Sequence, residues 1–258
     1  MKQALRLLSV LLVFACVCAC VSCLSSCTFG ANKTMDGDKN VLERTLKLDE
    51  AGVWTLVVHN IRFSGDAPDR FISIAPSHGP AVKIATDDNV FTSLTVDINR
   101  DTRVVTIEGD PACTYKPSEF SISFGSPVSA VNLEGGYKLD ALVTGVGTFA
   151  LHTAGAVEGS VVFDRLDEIT VSSEGAADLK LEGRCATLML KADGAAKVDA
   201  SKAEAEIANI KLSGACTTQV NVTGDLYAEA SGACVIEASG SPNIKQQAMS
   251  GVSELILK

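Results

Sequence analysis

Few residues in this 258-residue chain have the types and spacing that chemistry needs. Its three histidines, His59, His78 and His152, form no H-x-x-x-H pair, so a zinc hydrolase site has no basis in the spacing. No G-x-S-x-G elbow, phosphate-cradling loop or dinucleotide fingerprint occurs. The acidic turn EGGYKLD lacks the repeated G-G-x-G-x-D of calcium-binding β-rolls. This pattern assigns no catalytic residue, no metal ligand and no cofactor. The nine cysteines fall into two populations: five lie within the first 27 residues, and Cys113, Cys185, Cys216 and Cys234 are scattered through the rest.

The first cysteines belong to an export segment. Lys2 and Arg6 precede the apolar run LLSVLLVFACVCACVSC, which has the length of a secretory signal core and is short for a membrane span. The following Leu24-Ser25-Ser26-Cys27 looks like a bacterial lipobox, cut before a Cys that carries the lipid. Cys27 is the expected anchor; Cys23 and Cys20, which also follow small residues, are competing sites, and an uncleaved anchor is a further alternative. Residues 1–26 are then a lipoprotein signal peptide. Residues 27–40, small and polar, are expected to be a flexible tether.

Of the chain's 22 basic and 31 acidic residues, the signal peptide holds Lys2 and Arg6 and no acid, so the mature net charge moves from -9 to -11. An acidic exported chain disfavours nucleic acid and anionic headgroups, and contact with the membrane would come from acyl chains. The expected location is the cell envelope, exported and lipid-anchored.

The elements that carry these residues show a repeat. Glycines 135, 155, 175, 194, 214, 232 and 251 recur every 18 to 20 residues, mostly in settings such as TAGAV, SEGAA, ADGAA, LSGAC and ASGAC. Before each glycine, apolar or small residues alternate with polar ones, as in a strand with one face inward. After it, apolar positions resume at plus four and plus six, for example Leu179 and Leu181. In the units at Gly155 and Gly214 these positions look displaced by two residues, onto Val161 and Phe163 and onto Val220 and Val222.

A strand-turn-strand unit of about 19 residues is too short for a helical crossover, and the economical solution is a coil pairing in parallel with its successor. The expected class is all-β, a parallel β-helix over residues 127–258. Residues 41–126 hold strand signals such as WTLVVHNIRF and RVVTIEG without the period, and are expected to be an irregular β section and cap. The last strand, Leu255–Lys258, has no further coil to cover it, so this end is expected to dock either against a second copy, as self-association through the C-terminal coil, or against the N-terminal section.

Cys216 and Cys234 both follow their glycine by two and should stack at about 4.8 Å on successive coils, which allows either a disulfide or a reduced buried ladder.

The segment DDNVFTSLTVDINRDTRVVTIEG and the serial glycine motifs through LSGACTTQVNVTGDLYAEASGACVIEASGSPNIKQQAMSGVSELIL resemble the family named putative auto-transporter adhesin head GIN domain. The resemblance covers most of residues 41–258. It implies an exported β-helical protein with an adhesion or surface role and carries no catalytic residues. The leading functional expectation is a non-enzymatic, lipid-anchored adhesin-like or scaffold module with an envelope partner. The alternative is a polysaccharide-active enzyme or carbohydrate-binding protein on the same fold. Three or more carboxylates converging in one groove with Arg or Lys would favour the enzyme. The scarcity of aromatics, with one Trp and three Tyr, disfavours sugar platforms.

Overall fold

The structure, a computed structural model, describes residues 33–48, 52–65, 69–76 and 80–258. Residues 1–26, the Cys27 anchor, the first part of the tether and His78 lie outside the described residues. Among the described residues no helix is long and apolar enough to cross a membrane. The fold is all-β. One six-residue helix, α1 (Asp88–Ser93), interrupts the strands among the described residues.

Strand β1 (Lys33–Asp36) falls inside the segment expected as tether, yet it pairs in parallel with β9 (Cys113–Lys116), which also takes β4 (Arg62–Phe63). Its burial is slight, so the sequence shows no apolar alternation there; the backbone ladder places it, with Met35 packed against the core and the Asn89 amide donating to the Asp36 carbonyl at 2.7 Å. The rest of the N-terminal section mixes strand directions. β2 (Val41–Lys47) and β10 (Phe120–Phe124) both run antiparallel to β6 (Ala81–Asp87), and β7 (Thr95–Asn99) runs antiparallel to β8 (Val104–Glu108). β3 (Trp54–His59) and β5 (Arg70–Ile74) lead into the repeat by pairing in parallel with β11 (Val128–Val143).

From β11 onward the strand pairings among the described residues are all parallel. β11 pairs with the start of β12 (Thr148–Gly214) at an offset of 20 residues, from Ala130 opposite Ala150 to Val143 opposite Phe163. The end of β12 pairs likewise with β13 (Thr217–Gly232), which takes β14 (Val235–Ser239) and β15 (Asn243–Met249), while β14 takes β16 (Glu254–Leu257).

The spaced glycines meet one another along this series. Gly155 has φ +128°, and a Cβ built on it would lie 2.3 Å from the carbonyl oxygen of Gly135; at Gly214, with φ +95°, the distance to the Gly194 oxygen is 2.4 Å. Both the backbone conformation and the close approach therefore demand glycine. The position two residues after the glycine is buried in six of the seven repeats, as Tyr137, Val157, Ala177, Ala196, Cys216 and Cys234.

The two displaced units are not displaced. Gly159 lies opposite Leu139, with Val161 opposite Ala141 and Phe163 opposite Val143. A Cβ on Gly159 would stand 2.2 Å from the Leu139 oxygen, so a glycine fills the slot that an apolar side chain fills elsewhere. In the other unit, buried Thr218 takes the slot opposite Val198 and donates its hydroxyl to the Val198 carbonyl at 3.0 Å. Counting only apolar residues misplaces both slots.

The core changes character along the chain. Trp54, Tyr115, Phe120, Phe124 and Phe149 fill its earlier part, whereas Ala200, Ala203, Ala205 and Ala208 are all fully buried later on. Small side chains there bring the opposed backbones close together.

Candidate functional site

The positions just after the column glycines are small, half-buried at Gly136 and exposed at Ala156, Ala176 and Ala195. Side chains this short leave a depression on the surface, and longer ones from adjacent positions rim it. The result is an open groove with a volume of about 400 Å³ at one end, continued by a second depression of about 250 Å³. Asp69, Arg70, Lys138, Glu158 and Asp178 line the larger part, and Phe71, Asp140, Ser160 and Lys180 extend it.

Parallel register places these groups side by side. Lys138 lies opposite Phe71 on one neighbour and Glu158 on the other, and Asp140 lies opposite Ser73 and Ser160. Lys138 Nζ donates to Asp69 Oδ2 at 2.7 Å and stands 5.7 Å from the centre of the Phe71 ring. The hydrogen bond to Asp69 raises the Lys138 pKa, against a smaller opposing effect of desolvation, with Asp69 and Glu158 adding to the rise through their charge. Asp178 has Lys197, of the next repeat, at 4.0 Å. Ser160 donates to Asp140 at 2.9 Å. Phe71 is half exposed at the rim. The guanidinium carbon of Arg70 lies 4.9 Å from the centre of the Phe63 ring.

Three carboxylates, Asp69, Glu158 and Asp178, do share one groove with Arg70 and Lys138, the convergence set out above as favouring an enzyme. Two of the three are already engaged by lysines, and each lysine lies on a neighbouring segment of the same surface. Among the described residues no cluster of three or more His, Cys, Asp or Glu is arranged to hold a metal ion.

The other chemistry-bearing residues stand apart from the groove. His59 Nδ1 approaches Glu108 at 3.8 Å and Asn60 Nδ2 at 3.1 Å. His152 is half-buried in the polar column beside Asn132. All four cysteines among the described residues are buried free thiols. Cys216 Sγ donates to the Ser213 carbonyl and Cys234 Sγ to the Ser231 carbonyl, each at 3.3 Å. Burial raises the Cys216 thiol pKa, and burial followed by the charge of Glu206 pushes Cys185 up to about 11.

Asp87 is a polar centre that composition and spacing do not single out. Its side chain is fully buried, and although it precedes α1 it makes no cap hydrogen bond to that helix. Oδ1 instead accepts from the Lys39 N–H at 2.7 Å and the Ser118 hydroxyl at 3.0 Å, while Oδ2 accepts from the Ser118 N–H at 2.5 Å. Asp87 thus ties the turn after β1 to the segment before β10.

A family model described as "Putative auto-transporter adhesin, head GIN domain" matches residues 72–242. Among curated proteins, none matches. Among solved structures, a putative adhesin from Bacteroides fragilis superposes with TM-score 0.68 at 15% identity, covering 87% of this chain and 100% of that one. A putative lipid binding protein from Parabacteroides distasonis gives TM-score 0.56 at 15% identity, covering 88% and 100%. A putative adhesin from Parabacteroides merdae gives 0.54 at 16% identity, covering 88% and 99%. At these identities the likeness is one of fold. With six of the seven column glycines, Gly135 to Gly232, lying inside a match that spans most of the chain, the protein belongs to the family described as "Putative auto-transporter adhesin, head GIN domain".

Proposed function

We propose that this chain is a non-enzymatic, adhesin-like module of the cell surface that lays a polar polymer, a surface glycan chain, along the groove beside its glycine column. The observation that carries this reading is the pairing within the groove. Its charges are of mixed sign, Lys138, Glu158 and Asp178 in turn, and two of its carboxylates are held by lysines, Asp69 by Lys138 and Asp178 by Lys197, beside the half-exposed ring of Phe71. Such a surface offers hydrogen bonds and one apolar platform along its length. The family and the adhesin descriptions of the structural neighbours support the surface role.

The architecture that serves this role is a parallel β-helix. Offsets of about one glycine interval in the parallel pairings, and the contacts between successive column glycines, support that winding. Cys27 carries the lipid anchor in this reading, supported by the signal segment and lipobox; incorporation of labelled palmitate that is lost in Cys27→Ala tests it. Residues 41–126 serve as the section that covers the first coils.

The convergence of Glu158 and Asp178 with Asp69 favours a second reading, polysaccharide cleavage by a carboxylate pair. One experiment separates the two. The full chain is incubated with acidic and neutral polysaccharides, and both retention and new chain ends are measured. The binding reading expects retention without shortening. Shortening that disappears in Glu158→Gln or Asp178→Asn would establish the enzyme instead.

A further inference from the structure

Strand β16 forms the end of the large sheet: among the described residues it pairs with β14 alone. The Glu254 N–H donates to the Cys234 carbonyl at 2.8 Å and the Lys258 N–H to the Ala238 carbonyl at 2.9 Å. Strand alternation therefore aims the N–H and C=O groups of Leu255 and Leu257 at the open edge. The side chains of the same two leucines continue an inward column, since they lie opposite the fully buried Ile236 and Ala238. Nothing in the described residues closes that column: Leu257 is 53% exposed and the nearby Val252 79%.

The segment Glu254-Leu255-Ile256-Leu257-Lys258 reads the same backwards in its apolar residues and opposite in its charges. We propose that this edge binds a second copy of the chain, β16 against β16 antiparallel about Ile256, as a two-fold dimer. In that register Leu255 faces Leu257 of the partner subunit, and these are the residues whose free backbone groups can exchange both hydrogen bonds. Glu254 then faces Lys258 of the partner subunit twice, once on each side of the axis. The inward leucines of both copies share one face and cover the open ends of both cores. Backbone direction, apolar symmetry and charge each select the same register, and a self-complementary patch is what a two-fold interface requires. Lys258, whose Nζ reaches Glu237 at 2.5 Å, sits between that carboxylate and the partner's Glu254.

The test is sedimentation velocity on the purified full chain from about 1 µM to about 100 µM, the range in which a small interface is measurable. The expected result is a concentration-dependent dimer and no larger species. Glu254→Lys sets like charges opposite each other and should weaken it at least about tenfold, and Glu254→Lys with Lys258→Glu and Glu237→Lys, which keeps opposite charges both across the axis and within the chain, should recover to within about threefold. Leu257→Pro removes a donor aimed at the open edge and none aimed at β14, so it should abolish the dimer with little change in Tm. A wild-type monomer throughout, a dimer surviving Leu257→Pro, or a charge reversal without recovery would each overturn the proposal.

Discussion

Gly214 shows what one missing side chain does. At φ +95° an alanine methyl would press on the Gly194 carbonyl, itself part of a backbone that cannot yield. Gly214→Ala should cost at least about 2 kcal/mol in chemical denaturation. Gly65, where an added Cβ meets nothing, is the matched control and should be nearly neutral. Asp87 acts in the opposite sense, through a side chain that is present. Asp87→Ala leaves the Lys39 and Ser118 N–H groups without their acceptor and should destabilise by about 3 kcal/mol. The column glycines were readable because their spacing repeats, whereas Asp87 was not. In ATDDNV it looks like an ordinary acidic helix start, and its partners lie 48 and 31 residues away. The buried thiols make a third residue-scale statement. Cys185, at about 11, should alkylate at pH 8 at least about 100-fold more slowly than a free cysteine. Cys216 and Cys234 should both alkylate on unfolding without prior reduction; a cross-linked peptide pair would contradict the reduced ladder.

Among the elements, the packing of the later repeats and the hold on the last strand matter most. Ala205 is fully buried where neighbouring core positions are also alanine, so Ala205→Leu should destabilise by about 1 to 3 kcal/mol through overpacking. The last strand is held in part by Glu237. Its pKa is lowered first by the hydrogen bond from Lys258, then by that from Gln219, with the Lys258 charge assisting and desolvation opposing. A lowered carboxyl stabilises the fold above its unfolded value and ceases to do so as pH falls through the folded value. The Tm difference between wild type and Glu237→Gln should therefore be present near neutrality and shrink below about pH 4. The strand periods of the repeat were legible from alternation alone. The slots of Gly159 and Thr218 were not, because one is filled by backbone approach and the other by a hydroxyl bonded to the preceding coil. Strand β1 escaped notice for a related reason: it is almost wholly exposed, and exposed ladders leave no apolar trace in a sequence.

For the whole molecule, the sequence made the all-β class and the family legible through one repeated residue type. It did not make the groove legible, because the groove arises where different strands converge. Lys138 and Asp69 are 69 residues apart, and Phe71 reaches Lys138 only through the pairing of β5 with β11. A rigid face that gathers such groups suits contact with an extended polymer, and its mutual ion pairs suit binding more than bond cleavage. The most direct measurement is retention of the labelled full chain on intact bacterial cells and on immobilised glycans, comparing wild type with Phe71→Ala and Lys138→Ala. Glycan binding in the groove predicts retention by the wild type, a loss of about tenfold or more in each groove variant, and glycan chains of unchanged length. Absence of retention, equal retention by the groove variants, or glycan shortening that Glu158→Gln abolishes would contradict it.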